Sequence, residues 1–233
     1  MSSVSISERI VILRQRIQAA RLKSDRAVDT VQLLAVSKTQ PVEKILEAAR
    51  AGQLDFGENY AQELIAKAEQ GGSQIRWHFI GHLQRNKVKQ LLPHVTLIHS
   101  VDSFTLAQEI DKRATALGKI QPVLIEVNSG GEASKSGVAL SEKKLENLVR
   151  SLNTLSHVDL RGLMTIPPPK ENPEEVRPFF RQLREIRDAL NREKVYKHSL
   201  QELSMGMTHD FEVAIEEGAT IVRVGTGIFG AKK

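Results

Sequence analysis

Short apolar runs of strand length alternate with amphipathic stretches of helical length along almost the whole chain, and this alternation limits the fold more than any other feature. The strand-like runs are "VQLLAVS", "LDFGE", "RWHFIG", "TLIHSVD", "PVLIEVN", "VDLRGLMTI", "LQELSMG" and "TIVRVGT". Between them lie helical stretches such as "PVEKILEAARAG", "FTLAQEIDKRATALG" and "PEEVRPFFRQLREIRDALNREK", and "SERIVILRQRIQAARLK" adds a helix ahead of the first strand. Strand-helix alternation with strands apolar on both faces predicts a parallel sheet covered by helices. Eight such units in 233 residues favour closure into a (β/α)8 TIM barrel over an open sheet. The N-terminal helix is then expected to fill the place of a helix missing after the last strand. No linker, low-complexity tract or longer repeat divides the chain, so residues 1–233 are expected to form a single domain.

Composition narrows the class. With 40% hydrophobic residues the chain can bury a real core. It holds no cysteine, which excludes disulfides, thiolate metal sites and a cysteine nucleophile and fits a cytoplasmic protein. The first residues, "MSSVSISERIVILRQRI", carry charges at Glu8, Arg9, Arg14 and Arg16, so neither a signal peptide nor a membrane anchor is expected. The formal charge of +5 raises the question of nucleic acid, but the basic residues are interleaved with acids. The densest basic run, Arg85, Lys87 and Lys89, reads as solvated helix surface.

The chain ends on a literal G-x-G-x-x-G, Gly225, Gly227 and Gly230. A dinucleotide site needs this pattern between a strand and a helix, with an acid some 20 residues on. Only Ala231, Lys232 and Lys233 follow in the sequence, so a dinucleotide site is not expected. In a barrel, phosphate is often held by the loops after the seventh and eighth strands. Those loops carry Ser204 and Gly206, then Gly225, Thr226 and Gly227; the alternative is that the glycines only allow tight turns.

Two charges sit at strand ends. Arg223 shares a face with Ile221 and Gly225 by period-two alternation, and if that face points inward it needs a partner, either a ligand or a carboxylate such as Glu126 or Glu58. Lys38 closes the first strand, where barrel enzymes collect catalytic groups. Its amine can hold phosphate, face solvent, or form a Schiff base once burial or a neighbouring cation favours the neutral form. A phosphorylated aldehyde would satisfy both the lysine and the glycine loops. Pyridoxal 5'-phosphate fits that description, and so does a sugar phosphate in an aldolase barrel.

Seven stretches occur in order: "LLAVSKT", "FGENY", "WHFIGHLQRNK", "SKSG", "RGLMTI", "LSMGM" followed by Asp210, and "RVGTGIFG". Together they closely resemble the pyridoxal phosphate homeostasis proteins, the YggS or PROSC family, whose barrel is like the N-terminal domain of alanine racemase. The resemblance implies that Lys38 forms the covalent Schiff base and that Asn59 lies near the cofactor ring. It implies further that Met164 lines the pocket, that Ser204, Gly206, Gly225 and Thr226 cradle the phosphate, and that Arg223 faces the pyridine nitrogen. An arginine there donates a hydrogen bond without readily giving up a proton, which weakens the ring as an electron sink.

Related racemases bring a tyrosine base from a second domain. No such domain is expected here, and neither Tyr60 nor Tyr196 matches that role by position. The resemblance therefore implies a monomeric cofactor-binding protein acting in vitamin B6 homeostasis, with apo-enzymes as partners and no catalytic residues of its own. A weak amino-acid racemase or related enzyme is the alternative. Gln40, Thr208 and His209 depart from the common pattern and leave charge at the pocket mouth open, where Lys135 of "SKSG" also matters. His78 and His82 in "HFIGH" read as structural or pocket-lining residues, because no carboxylate follows at metal-ligand spacing. Glu58, Asp102 and Asp210 read as groups that hold loops or pair with arginine.

Overall fold

The computed structural model describes residues 4–24, 31–131, 136–139 and 142–230; Lys135 lies outside them. Eight parallel strands form the barrel: β1 (Gln32–Val36), β2 (Asp55–Glu58), β3 (Arg76–Phe79), β4 (Leu97–Val101), β5 (Gln121–Asn128), β7 (Val158–Met164), β8 (Glu202–Met207) and β9 (Ile221–Val224). The sheet runs β4-β3-β2-β1-β9-β8-β7-β5, and a β4–β5 pairing closes it. All eight strand-like runs of the sequence lie on barrel strands. A two-residue strand, β6 (Val138–Ala139), pairs with the end of β5 and was not anticipated, because two residues carry no periodicity.

The helices are α1 (Ile6–Lys23), α2 (Val42–Arg50), α3 (Ala61–Gly71), α4 (Val88–Leu91), α5 (Phe104–Ala116), α6 (Glu142–Leu152), α7 (Arg177–Arg192), α8 (Phe211–Glu216) and α9 (Thr226–Phe229). Helix α1 opens on a capping box between Ser5 and Glu8, which satisfies backbone donors that a helix start leaves unpaired. Its buried face, Ile6, Ile10, Leu13, Ile17 and Ala20, follows the 3.6-residue period and packs against α2, α8 and α9. It thus fills the gap expected in the helical ring. The gap is smaller than expected, because the glycine-rich segment after β9 coils into α9 instead of ending as a loop. Gly227 allows this: a Cβ there would lie 2.8 Å from Val224 Cγ1.

Alternation along the strands divides the core. Leu33, Ala35, Phe56, Trp77, Phe79, Val222 and Val224 face the helices, in one large apolar cluster. Leu34, Ile80, Leu97, Leu124, Met164 and Ile221 form a separate cluster inside the barrel. Arg85 and Lys89 are exposed on the short helical segment around α4. Among the described residues, no helix is long and apolar enough to cross a membrane.

Candidate functional site

The residues singled out in the sequence sit on five adjoining strands of the sheet, in the order β2-β1-β9-β8-β7. Asn59 follows β2, Lys38 follows β1, Arg223 lies in β9 with Gly225 and Thr226 just after it, Ser204 and Gly206 lie in β8, and Met164 ends β7. Closure of the barrel makes β1 and β9 neighbours, which brings the first and last parts of the chain together at the rim where barrel sites are built.

Lys38 is exposed, not buried as one route to its activation would require. Both of its neighbours are fixed. The Ser37 hydroxyl donates to Glu58 Oε1 at 2.7 Å, and the Lys67 ammonium donates to the Ser37 carbonyl at 2.7 Å. On the other side, the Thr39 N–H donates to Glu63 Oε1 at 2.6 Å, and Thr39 has a φ of 62°, a left-handed conformation that costs free energy for a non-glycine residue. Lys67 joins the two holds by ion pairs of 2.7 Å to Glu58 and 2.6 Å to Glu63. Burial pushes the Glu58 carboxyl up, against the opposing pull of Lys67 and Ser37. Glu58 therefore faces α3 on the outside of the sheet. It is not the partner of Arg223, and its place as a loop-holding group stands.

Arg223 does point inward. It is 3% exposed, and it donates from Nη1 to Ser204 Oγ at 2.7 Å and from Nη2 to the Thr165 carbonyl at 2.8 Å. No ion pair forms with Glu126, so the neighbouring-strand salt bridge considered from the sequence is absent among the described residues. Burial pulls the guanidinium down to about 10, while the charges of Asp210 and Glu126 oppose that shift. It stays a cation at neutral pH. Two of its five donors are used, and the remaining three have no hydrogen-bond partner among the described residues.

The two loops expected to form one cradle meet, with the Thr226 hydroxyl donating to Thr208 Oγ1 at 3.3 Å. Gly206 has a φ of +90°, and a Cβ on it would lie 2.5 Å from Ala214 Cβ, so only glycine fits. Gly225 lies against β1, with a Cβ position 3.3 Å from the Val36 carbonyl oxygen. Asp210 accepts from the Met207 N–H at 2.6 Å, the loop-holding role read for it. Asn59 Oδ1 is buried with no hydrogen-bond partner, a state that costs about 1–3 kcal/mol unless a ligand donor relieves it. Met164 is fully buried among the apolar residues inside the barrel.

The sequence reading missed part of the interior. His78 Nδ1 lies 3.0 Å from His99 Nε2, and His99 Nδ1 lies 2.9 Å from Ser204 Oγ. His82 instead is exposed, 3.7 Å from Asp102, so the two histidines of "HFIGH" go separate ways. No cluster of metal-ligating side chains occurs among the described residues. Glu126, considered only as a partner for Arg223, is raised to about 7 by burial and by the charge of Asp102, with Arg223 opposing. Alternation along "PVLIEVN" puts Glu126 on the face of Leu124 and could have placed it inside.

A closed parallel barrel with its polar groups on adjoining strand ends defines the class to which the chain's sequence also assigns it, since residues 12–233 match the alanine racemase N-terminal domain. Over 227 residues the chain is 52% identical to the pyridoxal phosphate homeostasis protein of Aquifex aeolicus, covering 97% of this chain and 98% of that protein. It also resembles the solved structure of PipY from Synechococcus elongatus with PLP bound, at 36% identity and a TM-score of 0.83, covering 97% of this chain and 100% of that one. The corresponding protein of Escherichia coli strain K12 is 40% identical over 232 residues, 97% of each chain. The chain belongs to the pyridoxal phosphate homeostasis protein family.

Proposed function

We propose that the protein binds pyridoxal 5'-phosphate at this rim, attached through Lys38, and serves intracellular vitamin B6 homeostasis, with indirect effects on amino-acid metabolism. The observation that carries the reading is Arg223, a fully buried cation with donors left over, on the same arc of strands as the lysine and the two glycine loops. The residues suit the group. Lys38 offers a primary amine on a turn fixed at both neighbours. Gly206, Gly225 and Thr226 leave room and polar groups for a phosphate, Asn59 has an unsatisfied buried acceptor, and Met164 gives an apolar wall. The bound cofactor supplies an electrophilic carbonyl carbon and an electron-withdrawing ring. Arg223 would donate to its ring nitrogen and, as a persistent cation, would not protonate it, which restrains carbanion chemistry.

A monomer is the expected oligomeric state, as the family resemblance implies. The cytoplasm is the expected compartment, and apo-enzymes that need the cofactor are the expected recipients. Glu126 favours a second reading, a weak amino-acid racemase or related enzyme, because a carboxyl poised near neutrality inside a site is what proton transfer needs.

The test is the visible absorption of the purified protein with added pyridoxal phosphate, followed by borohydride reduction and peptide mapping. The reduced cofactor is expected on the peptide that contains Lys38, and failure to reconstitute a coloured protein overturns the reading. Substrate α-proton exchange in deuterated water that is lost in Glu126→Gln would establish the enzymatic alternative.

A further inference from the structure

A line of polar groups crosses the barrel interior from its N-terminal end to Arg223. At one end the Arg76 guanidinium pairs with Asp55, with Nε and Nη2 each 2.6 Å from a carboxylate oxygen. Asp55 Oδ1 faces His78 Nε2 at 3.5 Å, His78 Nδ1 meets His99 Nε2 at 3.0 Å, and His99 Nδ1 meets Ser204 Oγ at 2.9 Å. Ser204 Oγ then accepts from Arg223 at 2.7 Å. Asp55, His78, His99 and Ser204 are all buried, and Asp55 also borders a surface cleft with Gln32, Gln53 and Leu54. Buried polar groups in a barrel core are expensive unless every one is matched.

The chemistry of the two ends sets the direction of the whole line. Arginine has no acceptor, so Ser204 must accept from Arg223, and the single proton of the serine hydroxyl goes to the one acceptor beside it, His99 Nδ1. His99 then carries its proton on Nε2 and donates to His78 Nδ1. His78 likewise carries its proton on Nε2, towards Asp55, which can only accept while ionised. Burial would raise the Asp55 carboxyl, but hydrogen bonds from His78, Arg76 and Gln32 outweigh it and hold it well below the usual range. Burial, the largest cause, pushes the His99 imidazole well below its ordinary value and keeps it neutral.

We infer that Asp55, His78 and His99 are positioning residues. By taking the Ser204 proton they keep it off Arg223, and so fix the guanidinium that faces the ring nitrogen of the cofactor. The part of this inference that concerns the cofactor rests on the binding proposed above. Were the serine proton turned towards Arg223, two donors would confront each other at 2.7 Å and the guanidinium would be displaced. Reversing the line requires one added proton at His78, which would leave both imidazoles donating towards Ser204 and free the serine hydroxyl to donate into the pocket. The charged and titratable groups facing this proton are Asp55 and, through it, Arg76 on one side, and His99 and then Arg223 on the other. The charges of Asp210 and Glu126 also act on Arg223.

The first test uses the protein without cofactor. Nitrogen-15 NMR of labelled histidine at pH 8 should show the His78 and His99 protons on Nε2, with both Nδ1 atoms accepting. An Nδ1–H tautomer at His99 at that pH overturns the inference. The second test compares wild type with His99→Phe and Asp55→Asn for pyridoxal phosphate binding and for the pH profile of the bound chromophore. His99→Phe should weaken binding about tenfold, the size of one lost hydrogen bond to a charged group, and should alter the pH profile. Asp55→Asn, which keeps the shape of the side chain, should alter the profile in the same direction with a smaller loss of affinity. A wild type that binds no pyridoxal phosphate sinks the proposed function and leaves the histidine tautomers to be judged alone. A wild type that binds, with both variants folded by circular dichroism and unchanged in affinity and profile, overturns the positioning role.

Discussion

The two sides of the sheet are built on different terms. The outer side, between strands and helices, is an unbroken apolar cluster that includes Phe56, Trp77, Phe79, Phe180 and Phe211. The inner side has only six buried apolar residues in its cluster and shares the barrel with Asp55, His78, His99, Glu126, Ser204 and Arg223. Burying apolar area stabilises by roughly 25 cal/mol per Å2, whereas a buried charge breaks even at best. The outside therefore holds the fold, and the inside spends part of that stability on a site.

This contrast can be broken by substitution, and the largest effect is expected outside. Phe180 is fully buried, and Phe180→Ala should cost about 3–5 kcal/mol in a denaturant titration; a loss below about 1 kcal/mol would show that the outer cluster is not what holds the barrel. Inside, the sign should reverse. Glu126 is raised from 4.5 to about 7, so the folded protein binds this proton more tightly than the unfolded chain. Its contribution is complete at low pH and falls as pH rises through that window. Glu126→Gln should therefore stabilise the cofactor-free protein by on the order of 3 kcal/mol at pH 9 and by almost nothing at pH 4. A gain that does not vary with pH would point to packing instead.

At the boundary between the regions, Gly206→Ala should cost about 1–3 kcal/mol, because the added Cβ meets Ala214 and the backbone is left-handed. Thermal melting would read this, and no change would mean that the C-terminal end of β8 relaxes freely. The smallest effect belongs to the solvated rim of neither region. Arg150 pairs with Glu146 at 2.6 Å but is 55% exposed, so Arg150→Ala should change stability by less than about 0.5 kcal/mol.

The strands were legible because period and length agree for each, and the placement of Lys38 and the glycine segments at the barrel rim was legible because they stand at strand ends. Helix α9 was not, because three glycines within six residues look like a loop until packing against α1 and β9 is known. The partners of Arg223 were not, because alternation places Glu58 and Glu126 on candidate faces without saying which face points in. Glu58 turned outward to Lys67, and Ser204 took the arginine. Neither His78 nor His99 announces the other, since each looks like an isolated polar residue in its own strand.

The sequence alone determined the alternation, hence a parallel barrel, and the residue types that a phosphorylated aldehyde would require. These are local properties, carried by periodicity and by glycine and proline punctuation. Only the tertiary structure decided that residues 38 and 225 adjoin, through the β1–β9 pairing, and that a donor-only arginine and an acceptor-only aspartate stand at opposite ends of one line of polar groups. Such juxtapositions depend on closing the sheet, and closure is a long-range condition that no single segment encodes.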